Sequence, residues 1–225
     1  MKHVVSLALA ACALAGAANA ETRNASGFTE INAADRVTVE VTVGETYLVQ
    51  VTGPDAERVR THVDGRTLRI SDRDRPWFGR APDLDATVRV TAPRVAGVAA
   101  ARGAELTATL SGQCGGFSAA AAMGGVANVS GINCSDVSAS ASMGGSLQMA
   151  GACNELSATA SMGGDIRAGE LQCRTVDASA SMGGALRVYA SESYDASAAM
   201  GGEIDVAGAA RRGDTSAALG GSISH

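Results

Sequence analysis

Asp136-Val137-Ser138-Ala139-Ser140-Ala141-Ser142-Met143-Gly144-Gly145-Ser146-Leu147-Gln148-Met149 is the stretch that decides the fold. From Val137 to Ser142 apolar and hydroxyl residues alternate strictly, which is the period of a β-strand. Gly144-Gly145 breaks the run, as a tight corner requires where a Cβ would forbid the backbone angles. Leu147 and Met149 then resume the alternation. The stretch recurs. Met-Gly-Gly stands at Met123, Met143, Met162, Met182 and Met200, and Leu219-Gly220-Gly221 completes a sixth copy, at spacings of 20, 19, 20, 18 and 19 residues.

The flanks repeat with it. Six residues before each Met stand Phe117, Val137, Leu156, Val176 and Tyr194, followed by Ala at alternate positions such as Ala139 and Ala141, or Ala158 and Ala160. After each Gly-Gly come the pairs Leu147 and Met149, Ile166 and Ala168, Leu186 and Val188, Ile204 and Val206. Each unit therefore reads as two short strands and two turns, with the large apolar residue, the Ala pair and the Met on one face and the Ser on the other. A fixed period of this size without a helical pattern predicts an all-β parallel β-helix, or β-solenoid, of about six coils of ~19 residues. Right-handed winding is the expectation by analogy with parallel crossovers. Neighbouring coils should lie roughly 4.8 Å apart.

Composition agrees. Of 225 residues 46% are hydrophobic but only 3% aromatic, and 28 are Gly, so the core is thin and its walls close together. With 4 Pro and no three-residue Gly period, collagen is excluded. A charged fraction of 18% and a net charge of -5 exclude a nucleic-acid-binding face.

The chain opens with an address. Lys2 and His3 precede an apolar run from Val4 to Ala17, and Ala18-Asn19-Ala20 forms a small-x-small cleavage site before Glu21. Residues 1–20 thus read as a secretory signal peptide, and the expected location is the periplasm or the outer cell surface. An alternative uses Leu9-Ala10-Ala11-Cys12 as a lipobox, with Cys12 as the lipid anchor. No segment has the roughly 18 apolar residues of a transmembrane span.

Residues 21–98 form a less regular β region before the repeats of 99–225, and the two are expected to be continuous. Arg36 to Val43 alternates cleanly, Asp64-Gly65 marks a hairpin, and Pro93 ends the run Asp85 to Val90. Phe28-x-x-Ile31, Val37-x-Val39, the Val59 and Val63-Asp64-Gly65-x-x-Leu68-x-Ile70 stretch, and Val88-x-Val90-x-Ala92-Pro93 resemble the bacterial head GIN-domain family, whose name ties it to auto-transporter adhesins. The resemblance implies an exported β-helical protein, similar in shape to pectin lyases and without established catalytic residues. The very regular Ala/Ser/Met-Gly-Gly coils depart from the family's usual pattern.

An enzyme is not expected. His62 and His225 are the only histidines after the leader, no Gly-x-Ser-x-Gly elbow occurs, and His62 reads as an exposed polar residue. Asp177, Asp195 and Asp214 stand five residues before Met182, Met200 and Leu219. This shared column makes them the candidate cation-binding residues, with weak Ca2+ as the ion, against a plain solvated edge. The Met column reads as core packing rather than a Cu(I) stripe, because Leu219 takes its last place. The Ser/Thr columns form a flat hydroxyl array suited to an ordered surface or a glycan. Arg75, Trp77 and Phe78 form the candidate ligand-contact loop. The expected role is envelope or surface adhesion or scaffolding, with a glycan or an envelope protein as partner. The alternative is an envelope carbohydrate-binding or carbohydrate-active protein. The strand edge of the last coil, Ser222 to His225, offers end-to-end self-association.

Four cysteines follow Cys12. Cys114, Cys134, Cys153 and Cys173 each stand nine residues before their own Met, so they occupy one column on successive coils. An even count in an exported protein predicts two disulfides. Neighbours in the column are roughly 5 Å apart, whereas alternate coils are too distant. Pairing Cys134 with Cys153 would strand the outer two. The expected bonds are Cys114–Cys134 and Cys153–Cys173, against the alternative of a ladder of buried reduced thiols at a turn.

Overall fold

The computed structural model describes residues 20–74 and 84–225. Residues 1–19, which hold Cys12 and most of the expected signal peptide 1–20, and residues 75–83, with Arg75, Trp77 and Phe78, lie outside the described residues. The strands are β1 (Glu21–Arg23), β2 (Glu30–Ala34), β3 (Thr38–Val43), β4 (Leu48–Thr52), β5 (Val59–Asp64), β6 (Thr67–Asp72), β7 (Thr87–Ala92), β8 (Gly97–Ala101), β9 (Glu105–Thr109), β10 (Cys114–Ala122), β11 (Val126–Ser142), β12 (Ser146–Ser161), β13 (Asp165–Ser181), β14 (Ala185–Ala199), β15 (Glu203–Ala207), β16 (Arg211–Ala218) and β17 (Ser222–Ser224), with a 3-10 turn at Ala56–Arg58. From β8 onward every pairing is parallel, with register shifts near the bends and, between β14 and β16, beside Asp195, so the molecule is a β-solenoid of about six turns.

Each of β11 to β14 is a whole coil bent around three sides. The buried positions in β11 are Ala127 and Val129, then Ile132 and Cys134, then Val137, Ala139 and Ala141. Consecutive outward residues at 130–131 and 135–136 mark the two bends. The expected two-strand coil is therefore corrected to a three-sided one. The cysteine segment is the second side, not a turn, and its alternation is too short to stand out from its flanking bends.

The walls show why so much Ala is present. On the third side one inward column runs Leu68, Ile31, Val98, Ala119, Ala139, Ala158, Ala178, Ala196 from coil to coil. On the first side the facing column runs Val88, Val39, Leu106, Ala127, Leu147, Ile166, Leu186, Ile204. From Ala139 to Ala196 the Ala of one column stand level with Leu147, Ile166, Leu186 and Ile204 of the other, and both columns are buried. Such alternation of large and small fills a narrow core at native density.

The corner between the third and first sides carries the repeat signature, and it corrects a second expectation. Met143 has φ 50° and Gly144 φ 72°, and the amide of Gly145 donates to the carbonyl of Ser142 at 2.9 Å. Two successive positive φ values inside a four-residue turn are the mark of a type I′ turn. Side-chain alternation stops at such a turn, so the Met points out of the coil rather than into it. Met123, Met143, Met162, Met182 and Met200 are 45–50% exposed, not core residues. The two glycines serve different ends. Gly144 supplies a left-handed φ in open space, whereas a Cβ on Gly145 would collide with the backbone of Ala121 and Ala122 in the preceding coil.

The N-terminal region follows the same recipe out of order. β2 and β3 make one coil, with the corner at Asp35-Arg36, and β8 and β9 make the next, with the corner at Arg102-Gly103. Between them in sequence, the chain crosses to the far side of β2–β3. There β6 pairs with β2 and β7 with β3, so the first coil ends up between two later ones. β4 lies antiparallel to β7, and β5 antiparallel to β6 through the Gly65 hairpin. These antiparallel strands cover that end of the solenoid, the place where an open coil would leave backbone groups unpaired.

Candidate binding surface

The outward residues of the third side form three columns that run from coil to coil. Reading along the solenoid, one column is Ser118, Ser138, Ser157, Asp177, Asp195. The next is Ala120, Ser140, Thr159, Ser179, Ser197, Ser216, and the third is Ala122, Ser142, Ser161, Ser181, Ala199. Parallel in-register pairing sets the spacing at roughly 4.8 Å between coils and about 7 Å along each strand. The hydroxyls of Ser138, Ser140, Ser157, Thr159, Ser179 and Ser197 make no hydrogen bond to other described residues, so they are turned to whatever lies outside.

Two edges bound this face. One is the methionine corner. Along the other, Asp136 of β11 sits in register with Glu155 of β12, beside a shallow hollow of about 370 Å³ that also takes in Gly116, Phe117 and Ala96. The two carboxylates are a feature that motif reading passes over. Their signal is present in the sequence, since both stand seven residues before a Met.

The aspartate column is only partly assembled. Asp177 and Asp195 are register partners on β13 and β14. At Asp214 the register slips, and the Asp195 carboxylate accepts the Asp214 backbone N–H at 2.6 Å instead of facing its side chain. Gly213 makes this approach feasible, because a Cβ there would strike the Asp195 carboxylate. Among the described residues no three His, Cys, Asp or Glu side chains gather closely enough to hold a metal ion. The third side thus presents columns of hydroxyls, one of which ends in Asp177 and Asp195, the latter engaged by the Asp214 amide.

The cysteines line the second side. Cys114 is joined to Cys134, and Cys153 to Cys173, with Cα separations of 4.4 and 4.5 Å. These are the pairings that the column spacing called for. Cys134 and Cys153 also stand in register, so the column is continuous and divided into two covalent pairs.

Charge is concentrated in the N-terminal coils. Arg102 grips Asp35 with Nε to Oδ1 at 2.7 Å and a second bond at 3.1 Å, tying two corners 67 residues apart. That hydrogen bond, above all, holds the Arg102 pKa above its ordinary value. Arg58 meets the buried carboxylate of Asp72 at 2.7 Å, and this contact likewise raises the arginine's pKa. Both guanidinium groups are permanent cations with structural partners, and neither faces the hydroxyl plane. His62 lies exposed on β5 opposite Arg69, and His225 stacks on Tyr194 at 5.2 Å between ring centres. Neither imidazole makes a hydrogen bond to another described residue. Among the described residues no helix is long and apolar enough to cross a membrane.

Comparison with known proteins supports the reading of the fold. Residues 27–210 match the family described as "Putative auto-transporter adhesin, head GIN domain". A crystal structure of a "putative adhesin" from Bacteroides fragilis superposes with a TM-score of 0.80 at 18% identity, covering 91% of this chain and 95% of that one. A "putative lipid binding protein" from Parabacteroides distasonis gives 0.64 at 19% identity, over 92% and 96% of the two chains. A "putative adhesin" from Parabacteroides merdae gives 0.59 at 15%, over 92% and 95%. No curated protein matches in sequence.

Proposed function

From the premise that the chain belongs to the head GIN-domain family, we propose that it is an exported, non-enzymatic protein of the cell envelope that works by surface contact, with the hydroxyl plane of its third side as the contact face. The observation that carries this reading is the array itself. Rows of Ser and Thr stand in register over successive coils, and their hydroxyls have no partner among the described residues. A rigid lattice of donors and acceptors on a stiff sheet loses little entropy on binding, because it is ordered before the partner arrives. Each hydroxyl can both donate and accept, which suits a polar, hydroxyl-rich or amide-rich surface such as a glycan or an envelope protein. The disulfides fit an oxidising, exported setting.

The test uses beads coated with the protein, applied to intact bacterial cells and to a glycan array. The triple substitution Ser140→Arg, Thr159→Arg and Ser179→Arg places three bulky cations in the central column without touching the core. Retention should fall at least tenfold, whereas Gln148→Arg on the first side should leave it unchanged. Equal retention by both variants would remove the hydroxyl plane from the function. Fractionation of the native cells should place the protein in the envelope, and a cytoplasmic pool would overturn the location.

A further inference from the structure

The methionine corner is not explained by packing, by the backbone or by the hydroxyl plane. A left-handed φ is ordinarily taken by Gly, Asn or Asp, and an unbranched apolar residue gains nothing from it. The position does not demand an apolar side chain either. In the N-terminal coils the same corners carry Asp35-Arg36 and Arg102-Gly103. Yet Met123, Met143, Met162, Met182 and Met200 all occupy it, with φ of 48–50° and 45–50% exposure. The corners are also locked to one another. Gly124 donates to the carbonyl of Met143, Gly144 to Met162, Gly163 to Met182 and Gly183 to Met200, at 3.2–3.3 Å. The result is a ladder of thioethers on successive coils, with a rise of roughly 4.8 Å per step.

We propose that this ladder is a binding site for a soft monovalent metal ion of the Cu(I) class. Thioethers are soft, neutral ligands that select Cu(I) over the harder divalent ions. Sulfur ligands at about 2.3 Å from a shared ion lie about 4 Å apart, close to the step between coils. Three rotatable bonds per side chain let adjacent Met residues converge on one ion. The residues on either side of each Met are Ser, Ala and Gly, so its sequence neighbours supply no carboxylate or imidazole to recruit a harder ion. Leu219, 78% exposed, ends the ladder, because a hydrocarbon cannot coordinate. Binding keeps every bond intact and involves no change of oxidation state.

The protein itself contains the control. Met149 is fully buried on the first side and belongs to no corner. With methyl-13C methionine, titration of the protein with Ag(I) nitrate in chloride-free buffer should shift the methyl resonances of the corner Met residues and leave Met149 in place. Under anaerobic conditions the protein should withdraw Cu(I) from bicinchoninate, with the disulfides intact throughout. Met143→Leu/Met162→Leu/Met182→Leu keeps the apolar volume and should weaken Cu(I) uptake at least tenfold at unchanged circular dichroism. If that variant misfolds, Met162→Leu alone should still lose the central methyl shifts. Absence of Ag(I)-induced shifts, shifts centred on Met149, or undiminished Cu(I) uptake by the leucine variant would each overturn the proposal.

Discussion

The N-terminal coils and the Met-Gly-Gly coils share one backbone plan and close it with different chemistry. In the coils built from β2–β3 and β8–β9 both walls carry large residues, as with Ile31 against Val39 and Val98 against Leu106, all buried. Their corners are charged and joined by the Arg102–Asp35 pair. In the repeat coils the column that continues Ile31 and Val98 is Ala, beside the buried Phe117, Val137, Leu156, Val176 and Tyr194, the corners are exposed Met, and the disulfides are found here. An Ala side chain buries less apolar surface than the Ile31 or Val98 it follows in that column, and hydrophobic stabilisation scales with that surface. A solenoid coil needs two things, a φ-positive corner and a filled interior. Either can be met by different side chains.

The largest effects are expected at the glycines. Gly164→Ala should cost about 3 kcal/mol or more, because its Cβ meets the backbone of Ala141 in the neighbouring coil and backbone cannot move aside. Gly163→Ala faces open space and should cost about 1 kcal/mol, the penalty of φ +74° for a residue with a Cβ. Gly103→Ala in the N-terminal corner meets only the flexible Arg36 side chain and should resemble Gly163→Ala rather than Gly164→Ala. Urea unfolding midpoints of the three variants decide it. Equal losses at Gly163 and Gly164 would mean that corner angles alone matter.

Next in size is the covalent support. Each disulfide closes a separation of 20 residues, for which chain entropy gives about 3 kcal/mol. Cys153→Ala with Cys173→Ala should lower stability by roughly that amount. Hydrogen exchange should show lost protection in β12 to β14, with β2, β3, β8 and β9 little changed. Uniform loss along the whole chain would show that both regions unfold as one unit. A smaller effect is expected at the charged corner. Asp35→Asn should cost about 1 kcal/mol, since Arg102 is partly exposed and solvent screens the pair. A double-mutant cycle with Arg102→Ala isolates the pairwise energy.

The smallest effect carries the opposite sign. Met162→Asn should stabilise the protein by about 0.5–1 kcal/mol, because Asn tolerates a left-handed φ and Met does not. A rise in thermal midpoint would show that the corner methionines are kept at a cost in stability. A fall would show that they stabilise the corner by contacts along the ladder.

Much of this architecture is legible in the sequence. The period of the Met-Gly-Gly copies locates the coils, the strict alternation from Val137 to Ser142 separates wall from surface, and the common offset of four cysteines from their methionines determines which pairs can meet. All three are local or strictly periodic, and a parallel in-register stack carries such patterns into space unchanged. Other features are settled by tertiary structure alone. Alternation by itself makes Met143 a core residue, but alternation holds only for extended backbone, and a type I′ turn aims the side chain outward. The Cys-bearing side escapes a periodicity reading because a strand of three residues between two bends has no period to detect. Nothing local announces that β2–β3 lies between β6–β7 and β8–β9, or that Asp35 meets Arg102. Those contacts depend on the order in which coils stack, and that order is decided by which exposed edge and which apolar face each later segment covers.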